Sequence, residues 1–207
     1  MNRLFTLPLY VSFVMLAACA SVPQSQYYTL TTGSQASVAE AEPDFAISLG
    51  SVNIPQQVDR PQIVLSNENQ AQVTLLNDSL WVAPLANEIR DALAQNLSQR
   101  LGVLELTSRE VPESLPFWAL SVTVQRFESI YGNKAVLEAT WRQTPRQGAN
   151  GAATACRALI TVPVDEGMPA LVAGHQQALV TLGELMADAL TARPLSPNKN
   201  TALKGCV

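Results

Sequence analysis

The chain has 207 residues, of which 47% are hydrophobic and 14% charged, and this composition indicates a globular protein with one core or at most two small ones. Its 13 basic and 17 acidic residues give a net charge of -4 without any basic stretch, which argues against nucleic acid as a partner. Three cysteines and one histidine are too few for a zinc, haem or iron-sulfur site, so we predict neither a metal nor another cofactor.

The N-terminal residues 1–18 have the pattern of a signal peptide. Arg3 precedes a mostly apolar run from Leu4 to Leu16, which is shorter than the roughly 20 apolar residues that a membrane-spanning helix needs. The run ends in Leu-Ala-Ala before Cys19 and so resembles the lipobox of bacterial lipoproteins. The resemblance implies cleavage after residue 18 and acylation of Cys19. A chance cysteine beside an ordinary Ala-x-Ala cleavage site is the alternative.

An acylated Cys19 would hold the mature chain on a membrane, because several acyl chains bury far more apolar surface than a marginal single chain does. In lipoproteins, an Asp after the acylated cysteine favours retention at the inner membrane. Ala20 occupies that position here, which implies the periplasmic face of the outer membrane. Residues 20–26 form a polar tether that reaches about 23 Å, so we expect the folded domain to stay close to its bilayer.

The sequence after residue 18 divides into a lipidated tether with the first strand (19–44), a folded domain (45–193) and a polar C-terminal tail (194–207). Gln26–Leu30 has the aromatic and β-branched content of a strand, in which Tyr27 and Tyr28 are expected to pack, with a lipid-facing role as the alternative. Phe45–Leu49 alternates as a half-buried strand does. Apolar segments on either side of Ser66–Asn69 predict a hairpin.

Two amphipathic helices are predicted. Pro84 suits the first turn of the first helix, apolar side chains recur every fourth residue up to Leu101, and Gly102 is placed to end it. The second helix is predicted over Met168–Ala192, with His175 on its apolar stripe. The polar face of the first helix carries a charged cluster that we expect to be solvated: Glu88, Arg90 and Asp91.

Between the two helices, the sequence predicts a meander of three antiparallel strands. The apolar positions of the first strand, which begins at Phe117, slip by one and predict a β-bulge near Gln125–Arg126. The Pro- and Gly-containing segment Thr144–Gly151 predicts the loop between the second and third strands. The order of the elements therefore predicts an α+β fold in which two helices pack on one largely antiparallel sheet.

Cys156 and Cys206 are the thiols that remain once Cys19 is acylated. An exported chain meets an oxidising compartment, so we expect a disulfide between them. Two buried free thiols, or a bond from Cys206 to another chain, are the alternatives.

His175 is the residue best suited to act as a general base. However, the sequence lacks a Gly-x-Ser-x-Gly elbow, a Walker loop, a Gly-x-Gly-x-x-Gly motif and a His-Glu-x-x-His motif. We therefore predict that the protein is not an enzyme and has no catalytic residues. The alternative is a cell-envelope hydrolase or lipid-modifying enzyme that uses His175.

The segment from Asn53 to Leu85 carries a recognisable pattern: Ile54-Pro55, then Asp59-Arg60-Pro61-Gln62-Ile63-Val64, then Leu80-Trp81-Val82-Ala83-Pro84-Leu85. With the lipobox and the first strand, this pattern resembles the PqiC-like family, the auxiliary lipoproteins of ABC-type and MCE-type envelope transport systems. The resemblance implies a noncatalytic outer-membrane subunit of an intermembrane lipid transport system. Such a subunit would dock an MCE-domain periplasmic protein, and association into a homo-oligomer stays open.

Four residues of this segment are predicted to contact the partner: Gln56, Gln57, Arg60 and Trp81. Exposed Trp and Arg are typical anchors of protein interfaces. The alternatives are a turn salt bridge between Asp59 and Arg60 and a core position for Trp81.

Overall fold

The computed structural model of the chain describes residues 24–33, 44–67 and 70–207. Three predicted features lie outside these residues: the signal peptide, the lipidation site Cys19 and the sorting residue Ala20.

The described part of the chain contains eight strands and two helices. The strands are β1 (Gln26–Tyr28), β2 (Ala46–Asn53), β3 (Gln62–Asn67), β4 (Gln70–Trp81), β5 (Phe117–Ile130), β6 (Lys134–Arg146), β7 (Thr154–Pro163) and β8 (Thr201–Cys206). The helices are α1 (Leu85–Leu101) and α2 (Met168–Leu190).

All of these strands form one sheet in the order β1-β4-β3-β5-β6-β7-β8, and β2 also pairs with β5. The fold is α+β as predicted, but the sheet is mixed, so the prediction of a largely antiparallel sheet was wrong. β2 and β3 both run parallel to β5, and β1 runs parallel to β4. Parallel partners are far apart in the chain, as with Ala46 and Phe117, and alternation within a strand says nothing about such pairing.

The meander of β5, β6 and β7 is antiparallel throughout, as predicted. The register of β5 against β6 shifts between Val124 and Arg126, which confirms the predicted bulge. The hairpin of β3 and β4 is also confirmed. The bulge turns Phe127 inward and leaves Arg126 on the outer face of the sheet.

Both helices pack their apolar sides on the inner face of the sheet and share one core with it. In α1, Leu85, Ile89, Leu93 and Leu97 are buried at four-residue spacing. Gly102 ends this helix with a left-handed backbone (φ 66°), and its amide donates to the carbonyl of Ser98.

The charged cluster of α1 is only partly solvated, contrary to expectation. Glu88 is 5% exposed, and its Oε2 accepts hydrogen bonds from the amide of Leu30 at 2.7 Å and the hydroxyl of Thr29 at 2.8 Å. Arg90 forms an ion pair with Glu105 at 2.7 Å. Glu88 bonds to the N-terminal segment and Arg90 pairs with the segment that follows α1, and helix periodicity shows neither contact.

β2 is also more buried than its alternation predicted. The side chains of Ala46, Ile47 and Leu49 are at most 3% exposed. The cause is that α1 covers one face, whereas the segment after α1 covers the other: Ala46 packs with Val111 and Phe117 in a second small apolar cluster.

The predicted C-terminal tail adds a strand to the sheet. β8 pairs antiparallel with β7, with Cys206 opposite Cys156. The side chains of β8 are mostly exposed, so an apolar pattern that would signal a strand is absent from its sequence.

Candidate interaction surfaces

The loop of residues 54–61, which we call the β2–β3 loop, contains three of the four predicted contact residues. Its two flanking strands both pair with β5. Val58 is buried beneath the loop, and its amide donates to the carbonyl of Pro55 at 3.1 Å. Gln56 and Gln57 are exposed. The loop is therefore a fixed turn that presents both glutamine side chains to solvent.

Trp81 is the fourth predicted contact residue, and the structure places it in the core at 4% exposure. Its ring meets the ring of Phe127 edge to face, with the centroids 6.2 Å apart. Its amide donates to the carbonyl of Pro61 at 2.8 Å, which ties the end of β4 to the end of the β2–β3 loop. Trp81 therefore occupies a core position, which was the alternative for this residue.

Arg60 lines a pocket of about 380 Å³ between the β2–β3 loop and the segment before α1. The other lining residues are Asp59, Pro61, Trp81, Val82, Ala83 and Pro84. The Nε of Arg60 is buried and has no hydrogen-bond partner, and within the described residues no ion pair joins it to Asp59. Because buried donors are normally paired, this N–H is suited to an acceptor brought by a ligand or a partner.

Gln57 lies at a second concavity, a groove of about 520 Å³ between the β3–β4 hairpin and the outer face of the sheet. Arg126, Glu128 and Lys134 contribute its charged groups. Arg126 donates to both oxygens of Glu128 at 2.8 and 2.9 Å, and this hydrogen bonding raises the pKa of Arg126. The structure thus divides the predicted contact residues, with Gln57 at the groove and Arg60 at the pocket.

His175 is buried at 1% exposure. Its Nε2 lies 2.8 Å from the hydroxyl of Ser129, and its ring stacks on Phe127 with the centroids 4.1 Å apart. Burial lowers its pKa to about 3, so the imidazole is neutral. A general base must come within hydrogen-bond reach of its substrate, and this side chain has almost no contact with solvent.

Among the residues that the structure describes, no group of three or more His, Cys, Asp or Glu side chains could hold a metal ion. In the same part of the chain, neither helix is long and apolar enough to cross a bilayer.

Cys156 and Cys206 are joined by a disulfide in the structure, with their Cα atoms 4.1 Å apart. The bond links the edge strand β8 to β7 at a position where the two residues are direct neighbours in register. It therefore fastens the C-terminal segment to the sheet.

The N-terminal segment is held by side chains from both helices. In addition to the bonds to Glu88, Gln95 donates to the carbonyl of Thr32 and Gln176 donates to the carbonyl of Thr29, both at 3.0 Å. Leu30 between them is 1% exposed. We call this arrangement, which was not predicted from the sequence, the N-terminal clamp.

The known proteins that are similar in sequence to this chain are transport lipoproteins. A family model described as ABC-type transport auxiliary lipoprotein component matches residues 28–187. The intermembrane transport lipoprotein PqiC of Escherichia coli K12 is 24% identical over 135 residues, which cover 63% of this chain and 70% of that protein. PqiC of Shigella flexneri matches to the same extent.

Two crystal structures share the fold. One, of an uncharacterised protein, has a TM-score of 0.59 at 17% identity and covers 81% of this chain and 99% of its own. The other, of a protein from Xanthomonas campestris, has a TM-score of 0.59 at 15% identity and covers 80% of this chain and 95% of its own.

Proposed function

Because the chain belongs to the family of ABC-type transport auxiliary lipoprotein components, we propose that it is a lipoprotein subunit of an intermembrane lipid transport system. In this proposal it is anchored through Cys19 to the periplasmic face of the outer membrane and docks an MCE-domain periplasmic protein. It acts by binding and not by catalysis. The observation that carries the proposal is the family match over residues 28–187, which includes the β2–β3 loop and both concavities.

The β2–β3 loop is the proposed contact with the partner. Gln56 and Gln57 are exposed on a turn whose backbone is held by hydrogen bonds, so docking costs little backbone entropy. Arg60 adds a guanidinium whose Nε lacks an acceptor and which lies beside an apolar pocket. A partner segment that combines a carboxylate with an apolar side chain would satisfy both features.

Capture of the partner tests this proposal. The full acylated chain in detergent is titrated with the MCE-domain protein of the same cell, and binding is compared among variants. We expect Arg60→Ala to weaken binding by about 30-fold, the effect of losing an interface anchor worth about 2 kcal/mol. A Gln56→Ala/Gln57→Ala double variant should also weaken it.

Arg109→Ala is the matched control, since Arg109 is an exposed arginine outside both concavities. It should bind as the unaltered chain does. If Arg60→Ala and the double glutamine variant both fold and bind as well as Arg109→Ala, the loop is not the docking surface.

His175→Gln separates docking from the enzymatic alternative. Removing a catalytic base typically costs a factor of 10² to 10⁴ in rate, so an enzyme would lose its envelope function almost completely. We expect a folded His175→Gln protein to keep both partner capture and envelope function. A folded variant that binds the partner but has lost its function would overturn the noncatalytic proposal.

A further inference from the structure

Two of the most exposed large apolar side chains lie side by side at the β1 edge of the sheet. Tyr27 is 64% exposed and Val82 is 61% exposed. β1 pairs parallel with β4 so that Tyr27 is opposite Leu80, and the amide of Val82 donates to the carbonyl of Tyr28 at 2.9 Å. The expectation that Tyr27 packs inside the protein was therefore wrong.

The register of β1 against β4 places Tyr27 and Leu80 on one face of this edge, and the exposed Val82 lies one residue beyond the end of β4, where its amide still bonds to β1. Partners in register share a face, and residues two apart on a strand point the same way. Trp81 points the opposite way, into the core. The three side chains form an apolar stripe, which we call the edge stripe, at the place where the described chain begins.

We propose that the edge stripe rests on the bilayer that carries the lipid anchor. This inference depends on the proposed anchoring at Cys19. The seven residues from Ala20 to Gln26 reach about 23 Å at most, so β1 cannot lie farther than that from the acylated residue. The edge stripe is thus the apolar surface that the tether brings to the membrane.

The N-terminal clamp keeps the tether short. Glu88 and Gln176 hold Thr29 and Leu30 against the helices, immediately after β1. The clamp prevents the chain from lengthening the tether by peeling β1 away from β4. The short tether therefore constrains the orientation of the whole domain.

The chemistry of the stripe suits a membrane interface. A tyrosine combines an apolar ring with a polar hydroxyl and is enriched at the level of lipid headgroups. The chain as a whole is acidic, so anionic lipids do not attract it, and the contact must come from apolar surface. We therefore expect the contact to form equally on zwitterionic lipids and not to require anionic ones.

Fluorescence quenching in proteoliposomes tests the contact. The full acylated chain is reconstituted into phosphatidylcholine vesicles with or without bromine on the acyl chains near the headgroup. Val82→Trp adds a fluorophore to the edge stripe, and the three native tryptophans provide a constant background. We expect brominated lipid to quench the added fluorescence by about half, as for an interfacial side chain.

Leu104→Trp is the control. Leu104 is 49% exposed, but it follows α1 whereas Val82 precedes it, and a helix of 17 residues spans about 25 Å. Its added fluorescence should be quenched little. Tyr27→Trp provides a second position on the stripe should Val82→Trp fail to fold. Equal quenching at the stripe and at Leu104 would overturn the inference.

Two further outcomes have definite meanings. Flotation with the vesicles and the mass of the Cys19 peptide report the anchor independently. An acylated chain that floats without quenching at the stripe refutes the contact alone, whereas a chain that lacks acylation refutes the anchor and the contact together. If a Tyr27→Ser variant, which alters a stripe residue outside the Arg60 pocket, loses partner capture in lipid-free detergent, the stripe belongs to the protein partner and the membrane contact is refuted.

Discussion

The backbone amide of Leu30 donates to the carboxylate of Glu88, a residue 58 positions later in the chain. Both groups are buried, so this bond connects the first described segment to the first turn of α1 out of contact with water. It lies between the tether and the core. In an anchored protein, a pull on the lipid would load the pairing of β1 with β4 first and then this bond, which holds the chain immediately after β1.

Replacing Glu88 should destabilise the fold. Glu88→Ala leaves the Leu30 amide and the Thr29 hydroxyl without their acceptor, and an unpaired buried donor costs about 1 to 3 kcal/mol. Glu88→Gln retains one acceptor oxygen and should cost less. Urea titrations measure the free energy of unfolding of each variant and of the unaltered chain. Asp91→Ala, at a largely exposed carboxylate of the same helix, should change stability by less than about 0.5 kcal/mol.

The disulfide should contribute substantially to stability. Closing a loop of 50 residues stabilises a fold by about 4 kcal/mol in the chain-entropy model. Peptide mapping without reductant should find Cys156 linked to Cys206. A Cys156→Ala/Cys206→Ala variant should unfold at a lower urea concentration, and the amide hydrogens of its β8 should exchange with solvent faster. Two free thiols in freshly purified periplasmic protein would contradict this prediction.

His175 should make the protein sensitive to acid. Burial lowers its pKa to about 3 from the ordinary 6.5, so between these pH values the unfolded chain binds a proton that the folded chain excludes. The free energy of unfolding therefore falls as the pH falls through this range. His175→Gln removes the group that binds this proton. It should reduce the slope of the free energy of unfolding against pH by up to about 1.4 kcal/mol per pH unit. Urea unfolding at several pH values between neutral pH and pH 5 gives the dependence of the free energy of unfolding on pH for the unaltered chain and for His175→Gln. The same pH dependence in both proteins would contradict a buried neutral imidazole.

Sorting to the outer membrane depends on the residue after the acylated cysteine. The unaltered chain, with Ala20, should fractionate with the outer membrane, and Ala20→Asp should shift it to the inner membrane. Both variants should carry the same acyl groups on Cys19, which mass spectrometry of the N-terminal peptide checks. Recovery of the unaltered chain mainly from the inner membrane would refute the outer-membrane assignment.

The parts of the fold that sequence predicted are those fixed by neighbours in the chain. Pro84 and Gly102 mark the ends of α1, and the slip in apolar positions marks the bulge before Arg126. The parallel pairing of β2 with β5 and the strand formed by the tail depend on distant partners. Local periodicity carries no information about either.

The same distinction applies to the candidate sites. The pattern around Arg60 identified the β2–β3 loop, because the turn residues and the aromatic residue occur within one short segment. The clamp on Leu30 was missed, and the burial of Trp81 was foreseen only as the alternative to a partner contact. Both arise where β1 and β4 come together, and β1 contributes only three residues to the sheet.

The arrangement of β2 and β3 has a consequence for divergence among related proteins. Both strands pair parallel with β5, so the β2–β3 loop connects two strands that lie along the same edge of β5. Its length and sequence can change while the register on either side is retained, because β2 is held by β5 and β3 is held by its hairpin with β4 as well as by β5. This loop can therefore change without any change to the domain that carries it.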